Sequence, residues 1–250
     1  MSKFEKVIIG NAELYLGDCM DVLPTLPKVD AIISDPPYRH NHMDGGGFAS
    51  ARKFYAGGEI DFISDFDLDE YKNILSNASD QFVVFCSRDL VPDWLSFASN
   101  EFGSFDLHVW HKTNAIPFTN NTWKSDIEYL ILGWRKKNHQ KVEQRLKSKA
   151  YISSLCTDDF HPTAKPVPLM SKYIEVLLPV GATALDPFMG SGTTGVAAMQ
   201  MGRKFIGIER EPKYFEIACR RIEDAQKQVD MFIAPEPVKV EQGDLLGVAA

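Results

Sequence analysis

Asp35-Pro36-Pro37-Tyr38 follows the apolar run Val29 to Ser34 (VDAIIS), so a carboxylate, two prolines and an aromatic ring stand at the end of a buried strand. The prolines stiffen the backbone and cannot extend a sheet. What remains on offer is an acceptor-only side chain, carbonyl oxygens and a flat apolar face. That set suits a planar ring bearing an exocyclic amino group. Asp35 and the Pro36 carbonyl would accept its two hydrogens, Pro37 would hold the turn rigid, and Tyr38 would stack on the ring. Taken alone, the four residues read equally well as an Asp-capped turn that closes a strand.

A second constellation lies far downstream. Gly190-x-Gly192-x-x-Gly195 stands between the short strand Thr183 to Leu185 and the small-residue helix VAAMQM, and Glu209 ends the next strand, Lys204 to Ile208. Glycines let a ligand approach the backbone, a helix N-terminus presents N–H groups to an anion, and a carboxylate at the next strand end can accept two ribose hydroxyls. The Gly-Lys-Ser/Thr of a nucleoside-triphosphate loop is missing. An adenosine-type cofactor is implied, either a dinucleotide or S-adenosylmethionine (SAM), and the loop by itself does not separate them.

The elements around these residues read as strands and helices of an α/β domain. Asn11 to Leu16 alternates like a strand, and Met20 to Leu26 supplies a helical turn before the strand that reaches Asp35, which suggests a parallel pair with a crossover. Asp67 to Asn77 is amphipathic with an acidic first turn, Gln81 to Cys86 (QFVVFC) is a buried strand, and a helix follows around Pro92 to Glu101. Phe105 to His111 and Asp126 to Trp134 are strands without a helix-length gap between them, the mark of a reversed strand in a mixed sheet. The basic stretch Trp134 to Ala150 and then Tyr151 to Phe160 read as an irregular insertion. Helices are expected at Val167 to Leu178 and Pro212 to Gln228, and residues 231–250 read as a tail on a single domain spanning 1–230, its insertion near 134–160.

The 250 residues are enough for one large domain with a substantial core, and 44% hydrophobic with 24% charged residues is ordinary for a soluble protein. No apolar run is long enough to span a bilayer and the N-terminus has no signal-peptide pattern, so no membrane partner and a cytoplasmic location are expected. Cys19, Cys86, Cys156 and Cys219 lack paired spacing and read as reduced thiols. His40 and His42 lack a third ligand nearby, so they point to solvent or substrate and no metal is expected. Net charge is −7, yet Trp134 to Ala150 carries seven Lys/Arg against one Glu. Within an acidic chain, Lys136, Lys137, Lys141 and Arg145 are the candidates for phosphate contact, with a solvated helix face as the plainer reading. The glycine-rich loop Arg39 to Gly58 has the composition of a lid or flap, and His40 is assigned with it to the DNA side.

Asp-Pro-Phe-Met-Gly-Ser-Gly-Thr (186–193), Ile-Gly-Ile-Glu (206–209) and the preceding His-Pro-Thr-Ala-Lys-Pro (161–166), all C-terminal to Asp-Pro-Pro-Tyr, together resemble the beta-class amino-methyltransferases of DNA over most of residues 10–225. The resemblance implies a Rossmann-like class I methyltransferase fold: a seven-stranded mixed sheet with one antiparallel strand, helices on both faces and a circularly permuted motif order. It implies SAM as cofactor and double-stranded DNA as partner. Asp35, Pro36 and Tyr38 would handle the target amino group. Phe188, Gly190 and Gly192 would line the cofactor pocket with Asp35, Asp186 and Thr193, and Glu209 would hold the ribose. Asp18 would face the adenine side, and Thr163 and Lys165 the methionine end. An Asp at position 35 is typical of the adenine-N6 enzymes, Ser of the cytosine-N4 ones. Target readout would come from the short segment between Trp134 and His161, helped by the Arg39 to Gly58 loop. A homodimer and a cognate restriction enzyme both stay open. So do the rival readings: a nicotinamide-dependent oxidoreductase, which leaves Asp-Pro-Pro-Tyr unexplained; methylation of RNA or glutamine, where Asn more often opens the tetrapeptide; and a non-catalytic DNA-binding module.

Overall fold

A computed structural model describes residues 3–37, 66–115, 126–136, 139–155 and 165–232. Among these residues nine strands form one sheet: β1 (Glu5–Ile9), β2 (Ala12–Leu16), β3 (Ala31–Ser34), β4 (Gln81–Cys86), β5 (Ser104–Lys112), β6 (Ile127–Trp134), β7 (Ala150–Ser153), β8 (Thr183–Asp186) and β9 (Lys204–Glu209), in the spatial order β1-β2-β9-β8-β3-β4-β6-β5-β7. The inner strands β3 and β4 are buried along their whole length, which is why AIIS and QFVVFC are continuous apolar runs rather than alternating ones.

Among the described residues six α-helices cover the sheet: α1 (Cys19–Val22), α2 (Leu68–Ala78), α3 (Val91–Phe97, widening into a π turn at Ala98–Phe102), α4 (Val167–Leu177), α5 (Thr193–Gln200) and α6 (Pro212–Phe232). Strand residues alternate between two cores. Leu14, Ile33, Val83 and Leu132 face α4, α5 and α6 through Leu169, Ile174, Ala197 and Ile222. Tyr15, Ile32, Val84 and Ile206 face α1, α2 and α3 through Val22, Tyr71, Leu75 and Trp94. Each fully buried side chain of this size contributes roughly 1.5–3 kcal/mol relative to exposure. The first turn of α2 is fixed locally, since Asp67 Oδ1 accepts from the backbone N–H groups of Asp69 (2.9 Å) and Glu70 (3.1 Å).

The sheet is larger than the seven strands implied by the resemblance. Strands β2 to β6, β8 and β9 make a seven-stranded unit in which β6 alone runs antiparallel, pairing with β4 and β5. β1 adds an antiparallel hairpin strand at one edge, and β7 lies parallel to β5 at the other. The segment read as an irregular insertion therefore contributes a strand. Both additions are short and largely exposed, so they lack the buried runs that reveal inner strands. β2 and β3 are parallel but not adjacent, because β9 and β8, late in the chain, lie between them. No helix among the described residues is long and apolar enough to cross a membrane.

Candidate active site

Four strand ends converge at one end of the sheet. β3 ends before Asp35, β8 ends on Asp186, β9 ends on Glu209, and β2 runs through Gly17 to Asp18. β3 and β8 are neighbours, but the chain leaves β8 toward β9 on one side and β3 toward β4 on the other. Ligands bind in the crevice that such a divergence opens beyond the C-terminal strand ends. Asp35, Lys165, Asp186, Phe188, Gly190 and Thr193 line a pocket there. Met170, Met189, Ser191 and Thr194, which the sequence reading passed over, complete its lining.

The loop from Asp186 to Thr194 is held from three sides. Asp186 is buried; its Oδ1 accepts from the Phe188 N–H (3.1 Å) and its Oδ2 from the Thr194 hydroxyl (2.6 Å). Burial pushes its carboxyl up to about 7, against the lowering effect of those two donors. Arg221 on α6 donates to the Ser191 carbonyl (2.6 Å) and hydroxyl (2.9 Å). Phe188 meets Phe66 and Tyr71 edge to face, at 5.3 and 5.2 Å between ring centroids. Gly192 has φ +82°, and a Cβ there would lie 2.9 Å from Ala218 Cβ, so the loop needs glycine to pack on α6. Gly190 has φ +51°, and a Cβ there would meet nothing within 4 Å, leaving open space beside the pocket it lines.

Glu209 does not line the pocket but is tied to the glycine loop, each oxygen anchored: Oε2 accepts from the Gly190 N–H (2.9 Å) and Oε1 from the Glu211 N–H (2.8 Å). Burial holds its carboxyl above the usual carboxylate range. The Glu209 carbonyl accepts from the Gly17 N–H at 3.0 Å, which sets Asp18 beside it. Asp18 itself caps α1 through the Met20 N–H (2.9 Å) and lies 3.7 Å from Arg210, and it does not line the pocket.

The charge pattern at Asp35 was not read from the sequence. Lys165 Nζ lies 2.5 Å from Asp35 Oδ2 and 3.2 Å from Glu128 Oε2, and Glu128 Oε1 lies 2.6 Å from Lys112 Nζ. Burial works against the charge on Lys165, but Asp35 and Glu128 outweigh it and hold the ammonium above its usual range. Burial likewise opposes charge on Glu128, and Lys165 with Lys112 outweighs it, so this carboxyl sits below its usual range. The available signal was a lone acid in DIEYLILGW, an otherwise apolar strand after its first residue.

Tyr38, His40, Lys137 and Thr163 lie outside the described residues. Lys136, Lys141 and Arg145 are exposed and are not brought to the pocket. β6 runs antiparallel to β4 and finishes opposite Gln81, where the Arg135 N–H donates to the Asp80 carbonyl. The Gln140 N–H donates to Val176, near the far end of α4, and Arg145 pairs with Glu143 at 2.6 Å. The start of this basic stretch is therefore about the length of β4, roughly 20 Å, from the end where Asp35 stands, and by Ala150 the stretch has returned to the level of Val109, Tyr129 and Cys86. Its reading as the phosphate-binding surface does not follow from the fold. Among the described residues, no group of three or more His, Cys, Asp and Glu side chains could hold a metal ion.

The family model described as DNA methylase matches residues 29–220, a span that runs from the strand before Asp35 through the glycine loop and into α6. The chain belongs to the DNA methylase family. Among its methylase relatives is the type II methyltransferase M.HinfI of Haemophilus influenzae, 28% identical over 258 residues that cover 90% of this chain and 70% of that protein. The crystal structure of the M1.HpyAVI–SAM complex is 26% identical, with a TM-score of 0.65 over 84% of this chain and 98% of that one. PvuII DNA methyltransferase, cytosine-N4-specific, shares the fold at 16% identity with a TM-score of 0.66, covering 88% and 93% of the two chains.

Proposed function

We propose that this chain is a site-specific enzyme that transfers a methyl group from S-adenosylmethionine to the N6 amino group of adenine in double-stranded DNA. One placement carries the reading: Asp35 lines the same pocket as Phe188, Gly190 and Thr193, although the tetrapeptide and the glycine loop stand at opposite ends of the sequence. The residues fit the cofactor. Gly190 leaves open space where any other residue would carry a Cβ, and Phe188 supplies an aromatic wall. Each Glu209 oxygen accepts one backbone N–H and keeps a lone pair for a ribose hydroxyl. We assign Asp186, Gly192, Thr193 and Glu209 to the nucleoside side of the pocket, Asp18 to its adenine rim, and Lys165 with Thr163 to the methionine end.

When bound, S-adenosylmethionine supplies an electrophilic methyl group. The adenine amino nitrogen is a poor nucleophile because its lone pair is delocalised into the ring. Asp35 and the Pro36 carbonyl accept its two hydrogens, draw them out of the conjugated arrangement and leave the lone pair aimed at the methyl. Lys165 fixes Asp35 through Oδ2, so this acceptor is aimed before the base arrives. As positive charge grows on the nitrogen, the carboxylate stabilises it. The base has to leave the duplex, and Tyr38 is the residue assigned to stack on it. The preference for adenine rests on Asp rather than Ser at position 35.

Asp35, Lys165 and the glycine loop stand beyond the C-terminal ends of β3, β8 and β9. We therefore place DNA at this end of the sheet. The test uses purified protein, labelled cofactor and DNA from a methylation-free host, with methylated nucleosides identified by mass spectrometry. N6-methyladenine is expected; N4-methylcytosine would move the assignment to the other base, and no methylated base would sink it. Asp35→Ala should retain binding of S-adenosylhomocysteine while kcat falls by roughly a hundredfold or more.

A further inference from the structure

We infer that Glu128 is a positioning residue for Asp35, acting through Lys165, with Lys112 in turn holding Glu128. The inference rests on the proposed role of Asp35 as acceptor for the target amino group. Four charges of alternating sign come from four separate elements: Lys112 at the end of β5, Glu128 on β6, Lys165 just before α4 and Asp35 just after β3. The links are 2.6, 3.2 and 2.5 Å, so the four form a continuous line into the pocket. All four side chains are largely buried, 13% exposed for Lys112, 20% for Glu128, 7% for Lys165 and 27% for Asp35. Lys165 also stands 5.0 Å above the Phe85 ring and Lys112 5.3 Å from the Trp110 ring, so apolar walls confine both ammonium groups.

Charge balance alone does not call for this arrangement, because Lys165 and Asp35 are already neutral as a pair. Glu128 adds a second anion that shares the Lys165 ammonium. Sharing has two effects on Asp35. Its carboxylate is less fully neutralised by the lysine and so remains a stronger acceptor toward an amino group. Its direction is also set from the sheet interior, since Glu128 belongs to β6, which is paired on both sides by β4 and β5, whereas Asp35 opens a loop. A site held by a rigid element keeps its geometry better than one held by loop residues.

The experiment compares Glu128→Gln, Glu128→Asp and the paired replacement Lys112→Met/Glu128→Met with wild type, measuring kcat, the KM for DNA and the affinity for S-adenosylhomocysteine by calorimetry. Glu128→Gln should lower kcat by about a hundredfold, the scale of a small misplacement at a reacting centre, with cofactor affinity and KM nearly unchanged. Glu128→Asp, which keeps the charge, should recover a large part of that loss. The paired replacement removes a buried ion pair as a neutral unit and is the variant that decides if Glu128→Gln does not fold. A kcat within about threefold of wild type in Glu128→Gln or in the paired replacement would overturn the inference, as would an equal loss of cofactor affinity. Asp35→Ala, run alongside, separates the two claims. If it keeps its activity, the role of Asp35 falls; if it is inactive while the Glu128 variants are normal, only the positioning role falls.

Discussion

Replacing Lys165 by methionine keeps the length of the side chain and removes the cation that Asp35 and Glu128 share. At distances of 2.5 and 3.2 Å and an effective dielectric constant near 20, the two attractions amount to roughly 7 and 5 kcal/mol. Desolvation cancels most of that. What is felt is the cost of leaving buried charge without its partner, about 3–5 kcal/mol. For a domain of this size each kcal/mol moves Tm by roughly 2–4 °C, so Lys165→Met should melt on the order of 10 °C below wild type at pH 7.5. The pH dependence follows from the directions of the shifts. Lys165 is raised in the folded state, so its contribution is whole below its ordinary value of 10.5 and is lost only as pH climbs through the raised one. Glu128 is lowered, so its contribution is whole above its ordinary value of 4.5 and is lost as pH falls through the lowered one. In the variant the Glu128 carboxylate loses the Lys165 charge that helps hold it low and takes up a proton more readily, which relieves the stranded charge. The deficit should therefore be largest at neutral and alkaline pH and shrink toward pH 5. Urea unfolding of both proteins from pH 5 to pH 8 measures it. A deficit below about 1 kcal/mol at pH 7.5, or one that widens on acidification, would refute the reasoning.

Three further expectations concern the loop and the basic stretch. Asp186 is raised to about 7 by burial, so its contribution is whole below its ordinary 3.8 and is lost as pH rises through 7. Asp186→Asn removes that titration, and its Tm should gain on wild type from pH 5 to pH 8; a constant difference would mean that Asp186 stays ionised throughout. Gly192→Ala forces a Cβ to φ +82° and to 2.9 Å from Ala218 Cβ. A loss of about 1–3 kcal/mol is expected in thermal unfolding, and an unchanged Tm would show that α6 yields easily. Neutralising Lys136, Lys141 and Arg145 together should leave the DNA affinity and its salt dependence close to wild type, because none of the three lines the pocket. A slope of log K against log salt that falls by about two or three units would restore them as phosphate contacts.

The strands buried on both faces were the most legible part of this chain. QFVVFC was placed without error at Gln81 to Cys86, since a run of that kind has few other homes in an α/β domain. The reversed strand was also readable, because Phe105 to His111 and Asp126 to Trp134 left no room for a crossover helix. EKVII and AYIS escaped notice for the opposite reason: edge strands face solvent, and their periodicity over a few residues is weak. At the site, motif order announced that residue 35 and the glycine loop belong together. The partners of Lys165 were illegible, because strand register rather than spacing decides that Glu128 reaches it across 36 intervening positions. The place of the positive run after Trp134 was hidden for a related reason. Composition identifies a charged segment, but only strand direction says which end of the sheet it occupies.

The insertion of β9 and β8 between β2 and β3 has a consequence for synthesis. A growing polypeptide has already made the tetrapeptide while both inner strands that must fill the gap are still untranslated, and β2 and β3 cannot close against each other in the meantime. The pocket is complete only after the last third of the chain has threaded into the middle of the sheet, a long-range event of the slow kind. Truncated or stalled products thus carry the tetrapeptide without the walls that would hold a methyl donor, and the pocket exists only once the sheet is whole.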